Sequence, residues 1–75
     1  MRITAEMGSW AARYVNERVI LLDMAEGSTV SDVINAVGIP ADEAGIAVLN
    51  GKSIPREYAL SDGDAIKIHP VILGG

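Results

Sequence analysis

The stretch STVSDVINAVGIP, residues 28–40, decides the fold class, because it alone in the chain carries both the period and the punctuation of a helix. At Ser28-Thr29 a hydroxyl can cap free backbone N–H groups, and Asp32 brings negative charge to the first turn. Val30, Val33, Ile34 and Val37 recur at three- and four-residue intervals, which places one apolar face toward a sheet. Gly38 supplies a left-handed stop, Ile39 the hydrophobic contact that follows it, and Pro40 the breaker. The spacing predicts a helix of about two to three turns in spite of its β-branched valines.

Outward from this helix, the chain reads as strands and turns. Arg2 to Met7 alternates around Ile3 and Ala5, and Glu17 to Ala25 is rich in Val, Ile and Leu, so two strands are expected, paired as a hairpin. Between them, Gly8 to Asn16 carries Trp10 and Tyr14 in a mixed polar segment that is either a long loop or a short helix. After the helix, Ala41 to Gly45 reads as a connection and Ile46 to Leu49 as a third strand running into Asn50-Gly51, a pair that favours a tight hairpin turn because both positions tolerate positive φ. Ser53 and Ile54 begin a short fourth strand that Pro55 marks as an edge or an end. Asp62-Gly63-Asp64 is a turn, and Ala65 to His69 is the last strand, with Ile66 and Ile68 alternating against Lys67 and His69. The order predicts an α+β domain: a mixed sheet of four to five strands with one main helix packed on one face.

A chain of 75 residues holds one hydrophobic core, so a single domain over 1–75 is expected, with a flexible C-terminal tail at 70–75. At 49% hydrophobic residues it has apolar surface enough to fold, and without Phe that core must be aliphatic. The net charge of -4, with Arg2, Arg13, Arg18, Lys52, Arg56 and Lys67 scattered, repels phosphate backbones and suits a basic protein partner better than nucleic acid. The absence of Cys removes disulfides, thiolate nucleophiles and persulfides together. With no leader pattern and no apolar run near the roughly 20 residues of a membrane helix, a soluble cytoplasmic protein without a membrane partner is expected.

Conventional catalytic sites are hard to find. Gly45 and Gly51-Lys52-Ser53 superficially suggest a phosphate loop, but the spacing is one residue too long, the segment between is strand-like, and Pro55 prevents a helix after Ser53. His69 has no second His or Cys with which to hold a metal, so no metal site is expected and an exposed strand position is the plainer reading. Asp62 and Asp64 straddle Gly63 as turn geometry requires, and nothing suggests a pocket that would make them an acid and base. Trp10 either packs at the edge of the core or marks an interface. Leu73-Gly74-Gly75 offers access instead of catalysis: two residues without a β-carbon pass through a channel too narrow for side chains, although small residues at a chain end also suit a frayed tail.

The residues Val48-Leu49-Asn50-Gly51, Ile54-Pro55-Arg56-Glu57 and Leu60-Ser61-Asp62-Gly63-Asp64-Ala65-Ile66-Lys67-Ile68, closing on Pro70 and Gly74-Gly75, resemble the MoaD/ThiS family of ubiquitin-like sulfur carriers. The match covers the C-terminal 30 residues, and the element order extends it across the chain. The resemblance implies a ubiquitin-like β-grasp, which this order fits if the last strand pairs beside the first in parallel. It also implies a protein co-substrate, not an enzyme, acting in some cases as the small subunit of a synthase. Gly75 is then the site of adenylation and of the thiocarboxylate, and Gly74 gives the tail access. A ubiquitin-activating-type enzyme uses ATP and Mg²⁺, a sulfur donor displaces AMP, and no cofactor is bound permanently. The acceptor complex is a molybdopterin-synthase large subunit or a thiazole synthase. Ile68, Val71, Ile72 and Leu73 are the expected docking residues, taken as exposed apolar groups near the tail, with Asp62 and Asp64 steering a basic partner.

The ending Pro70 to Gly75 looks more like the molybdopterin-synthase small subunit, and Asn50-Gly51 with Pro55-Arg56-Glu57 more like the thiamine-pathway carrier, which leaves the pathway open. Met7 to Asn16 matches neither pattern. Two other readings stand beside the carrier: a modifier joined through Gly75 to target lysines, and a non-catalytic interaction module.

Overall fold

The computed structural model describes residues 1–71. Strands β1 (Arg2–Met7) and β2 (Val19–Asp23) precede helix α1 (Val30–Val37), and β3 (Ala44–Leu49), β4 (Lys52–Ile54) and β5 (Ala65–Pro70) follow it. They form one sheet of five strands in the order β2-β1-β5-β3-β4. β1 pairs antiparallel with β2, through Ile3 opposite Leu22 and Ala5 opposite Ile20, and parallel with β5, through Ala5 beside Ile66 and Met7 beside Ile68. β3 is antiparallel to both β4 and β5. The first and last strands thus lie side by side, the arrangement on which a β-grasp depends.

Period-two alternation sorts the side chains of the central strands. Ile3, Ala5 and Met7 from β1, with Ile66 and Ile68 from β5, are buried in one cluster with Val30, Val33 and Ile34 of the helix. Thr4, Glu6 and Lys67 alternate with them and so take the opposite face, where Lys67 Nζ stands 3.9 Å from Glu6 Oε2 across the parallel pair. That contact is exposed and contributes little. A small domain needs this aliphatic core: burying one such side chain is worth about 1.5–3 kcal/mol.

The helix begins and ends as its sequence dictates. Thr29 is the N-cap: its hydroxyl accepts from the Asp32 N–H at 3.3 Å, and the Asp32 carboxylate accepts from the Thr29 N–H at 2.9 Å, a reciprocal capping box. The N–H groups of Val30 and Ser31 donate to the carbonyls of Tyr58 and Arg56, so the start of α1 is tied to the segment that follows β4. At the other end Gly38 has φ 96°, and the Ile39 N–H reaches the Ile34 carbonyl at 3.3 Å while the Ile39 side chain enters the core. Asn50 and Gly51 have φ of 53° and 79°, the pair of left-handed residues the β3–β4 hairpin requires.

Gly8 to Asn16, left open between a long loop and a short helix, contains one 3₁₀ turn, Ser9–Ala11, anchored by the buried Ala11. Two expectations need correction. β3 starts at Ala44, not Ile46, because Ala44 pairs with Pro70 before a register shift that ends at Ala47 opposite Ile68. For the same reason the strand continues through Pro70, and the Val71 N–H donates to the Glu43 carbonyl at 3.2 Å, so positions 70 and 71 belong to the folded domain and not to a tail. A proline without an N–H at the end of the strand and an irregular partner strand hid this pairing from a period-based reading.

Gly45 lies within the shift. A β-carbon there would stand 2.5 Å from the Pro70 oxygen, 2.7 Å from its carbonyl carbon and 2.9 Å from the His69 oxygen, all backbone atoms that cannot swing aside. Gly45→Ala is therefore expected to destabilise the domain by about 1–3 kcal/mol, with amide shift changes concentrated at His69 and Val71 in a ¹⁵N spectrum. Thr29→Ala, which removes the cap hydroxyl, is expected to cost about 1 kcal/mol, seen as a fall of about 4–8 °C in Tm.

Candidate functional site

The site that the fold constructs is the root of the C-terminal segment, where β5 ends. Its position follows from two local features. The absence of a side chain at Gly45 lets β3 approach the Pro70 backbone closely, and the loop from Pro40 to Ala44 curls so that the Glu43 and Ala44 N–H groups donate to the Pro40 carbonyl at 3.0 and 3.3 Å. That curl presents the Glu43 carbonyl to Val71. Arg56, half-buried after β4, closes the arrangement: one guanidinium nitrogen donates to the Ala41 carbonyl at 3.0 Å and to the Ala44 carbonyl.

Two surfaces flank the root. On one side Gly45, Ile46, His69, Pro70 and Val71 line a shallow apolar depression. Ile46 is 55% exposed and Val71 40% exposed, so two aliphatic side chains face solvent beside the exit of the chain. On the other side Trp10, Arg13, Tyr14, Asp42 and Glu43 line a cleft that also reaches Pro70 and Val71. Arg13 lies over the Tyr14 ring, 5.7 Å from its centroid. Trp10, which the sequence left between core edge and interface, is half-buried: it packs against the core cluster and lines this cleft.

The residues expected to form the site separate on inspection. Ile68 is 1% exposed and packs in the core, so the expectation of an exposed docking side chain there is corrected; its alternation with Lys67 and His69 puts it on the helix-covered face. Val71 is exposed directly after the end of β5. Ile72, Leu73, Gly74 and Gly75 lie outside the described residues. Asp62 and Asp64 sit at the opposite end of β5 from Val71, a strand of six residues that spans about 20 Å. Asp62 Oδ1 accepts from the Arg2 N–H at 2.7 Å and Asp64 Oδ2 from the Ser61 N–H at 2.8 Å, so both carboxylates staple the turn that starts β5. The structure does not bring them to the tail root. Ile46 is the residue that sequence reasoning missed: in the run Ile46-Ala47-Val48-Leu49 every residue is apolar, and alternation gives no sign of which one faces out.

Among the described residues no group of three or more His, Asp or Glu side chains is placed to hold a metal ion, and His69 is half-buried at the edge of the apolar depression. No helix among them is long and apolar enough to cross a membrane. What the geometry offers is presentation: a firmly held exit point between an apolar depression and an aromatic cleft.

Comparison with known proteins places this arrangement. Residues 1–73 match the family model described as Mut7-C ubiquitin. Among solved structures, small archaeal modifier protein SAMP1 from Haloferax volcanii superposes with a TM-score of 0.77 at 19% identity, covering 100% of both chains. A putative molybdopterin converting factor subunit 1 from Pyrococcus furiosus gives 0.75 at 14% identity over 96% of this chain and 99% of that one. The Haloferax volcanii HVO 2177 protein gives 0.77 at 22% identity over 100% of this chain and 87% of that one. At these identities the superpositions establish a shared fold, whereas the family model spans nearly the whole sequence. The chain belongs to the Mut7-C ubiquitin family and has the ubiquitin-like β-grasp that its MoaD/ThiS resemblance implied.

Proposed function

We propose that this protein is a sulfur carrier whose Gly75 carboxylate is activated and thiolated by partner enzymes. The observation that carries the reading is the tail root itself: a chain exit fixed by Pro70 at the end of β5 and by Val71 just after it, next to the exposed Ile46 side chain. Likeness to a molybdopterin converting factor subunit supports it at the level of fold.

A carboxylate is ionised near neutral pH, with an ordinary pKa of about 3.5, and its charge makes it a poor electrophile. Activation removes that charge: a carboxylate oxygen of Gly75 attacks the α-phosphorus of ATP on a ubiquitin-activating-type enzyme with Mg²⁺, and pyrophosphate leaves. Sulfide-level sulfur (HS⁻) from a donor then attacks the carbonyl carbon, the C–O bond to AMP breaks and AMP leaves, and loss of the S–H proton to solvent gives the thiocarboxylate. The chain supplies no acid or base to these steps. Its contribution is position, since Gly75 follows Val71 by four residues, a reach of at most about 14 Å. Gly74 and Gly75 have no side chains to obstruct entry, and Ile72 and Leu73 continue the apolar character of Val71 toward the partner. Acceptors of the sulfur are a pterin-type synthase through its large subunit, or a thiazole synthase. Asp62 and Asp64, remote from the root, act in this scheme only through the long-range field of a chain with net charge -4.

A second reading is favoured by the likeness to small archaeal modifier protein 1: the same activated Gly75 is joined to lysine amines of other proteins. Trypsin cuts after Lys67, the last Lys or Arg, so the mark on a target lysine is the peptide Ile68 to Gly75.

Intact-mass measurement after incubation with the activating enzyme, ATP and a sulfur donor is expected to show a gain equal to the exchange of one oxygen for sulfur. Deletion of Gly74-Gly75 should abolish that gain; a native protein that is never thiolated overturns the carrier reading, and branched peptides bearing Ile68 to Gly75 would establish the modifier. Ile46→Asp is expected to weaken binding to the activating enzyme at least tenfold, or about 1.4 kcal/mol, with little change in Tm because the side chain is already mostly in water. Binding unchanged in calorimetry would remove the apolar depression from the docking surface.

A further inference from the structure

Arg56 links two parts of the fold, the start of α1 and the loop that precedes β3. Its backbone is fixed from one side: the Arg56 carbonyl accepts from the Ser31 N–H at 3.0 Å, which ties it to the first turn of α1. Its side chain then reaches the Pro40–Ala44 loop, where a single nitrogen, Nη2, donates to the carbonyls of Ala41 and Ala44. The same loop holds the root of the C-terminal segment, through the Glu43 carbonyl to the Val71 N–H and through Ala44 paired with Pro70. Arg56 thus ties the helix start to the Pro40–Ala44 loop, and the same short loop, through Glu43, holds the last described residue.

We propose that Arg56 is a positioning residue: it fixes the direction in which the chain leaves Val71, and productive presentation of the Gly75 carboxylate depends on it. The proposal rests on the carrier reading for its catalytic consequence, but not for its structural one. The chemistry of the group suits the task. The two N–H bonds of Nη2 diverge in the guanidinium plane, so one rigid atom serves two carbonyls that belong to successive bends of the loop. Charge-assisted hydrogen bonds to carbonyls are stronger than neutral ones. A Lys ammonium at this site keeps the charge but lacks the planar fork. Misplacement of a reacting atom by about 1 Å can cost on the order of 100-fold in rate.

The test uses the full chain, ¹⁵N-labelled, as wild type, Arg56→Gln and Arg56→Lys. Hydrogen exchange is read at the Val71 amide and, for reference, at the amides of Ile34 and Ile66. Exchange at Val71 is expected to accelerate at least tenfold in Arg56→Gln and by less in Arg56→Lys, while Ile34 and Ile66 stay within twofold of wild type. A residue of merely structural importance would accelerate all three together, and that result overturns the proposal. So does a Val71 amide that is unprotected in the wild type, or protected equally in Arg56→Gln. If Arg56→Gln does not fold, Arg56→Lys is judged by the same criteria. In parallel, pyrophosphate release is followed with an adenylating enzyme of the ubiquitin-activating type from the same genome. A fall of at least tenfold in kcat/KM for Arg56→Gln, carried mainly by kcat, is expected, since Ile46 and Val71 remain to dock. An unchanged kcat/KM overturns the catalytic consequence of the clamp. Failure of the wild type to be activated at all counts against the carrier reading, and the exchange measurements still decide whether Arg56 holds the root.

Discussion

The parallel pairing of β1 with β5 is the constraint on which the rest of this structure depends. It joins the first strand to the last, so every intervening element must fit between or beside them. A parallel neighbour cannot be reached by a tight turn, and the chain spans the gap with a hairpin, a helix and a second hairpin. α1 then covers the face that Ile3, Ala5, Met7, Ile66 and Ile68 present, and the aliphatic core closes without a single Phe. β5 becomes a central strand, bonded on one side by β1 and on the other by β3. The last element of the domain is consequently among its most firmly held.

That placement matters for a protein read as a carrier. A chain end that continues from an edge strand or a loop would leave the fold at a site of low local stability. Here the exit follows directly from the centre of the sheet. The register shift in β3 between Ala44 and Ala47 releases the regular ladder at this point, and Gly45 lets the two backbones close on each other where a β-carbon would separate them. Irregularity of this kind beside a site re-aims the chain and its neighbours. One outcome is Ile46, turned to solvent in the middle of an apolar run.

The electrostatics are subordinate to this geometry. The carboxylates that stand out in the sequence, Asp62 and Asp64, are consumed in building the turn that starts β5, and the ion pairs Arg2–Asp23 and Lys67–Glu6 lie in water on the open face. Charge near the root is mixed, with Arg13 opposite Asp42 and Glu43 around the aromatic cleft. Neutral groups dominate the exit point: backbone carbonyls, a glycine, a proline and two exposed aliphatic side chains. Arg56 is the exception, and its charge is directed inward to carbonyls of the scaffold.

Much of this protein was legible in the sequence, because local chemistry fixes local structure. Thr29 with Asp32 started the helix, Gly38 ended it, Asn50-Gly51 turned the hairpin, and the period-two and mixed three- and four-residue spacings assigned strands and helix to their elements. Those signals act within a few residues and survive without a partner. Family resemblance in the C-terminal 30 residues supplied the β-grasp, whose parallel β1–β5 pair no local signal could demonstrate. Tertiary structure alone decided the site. Ile68 is buried and Ile46 exposed because strand pairing and a register shift select the faces, and a run of consecutive apolar residues contains no trace of that choice. Trp10, Arg13 and Tyr14 reach Pro70 and Val71, and Arg56 reaches the loop before β3, only once the sheet has brought segments distant in sequence together. The sequence determined which pieces form; where the chain leaves them was settled by non-local packing, which depends on all of the pieces at once.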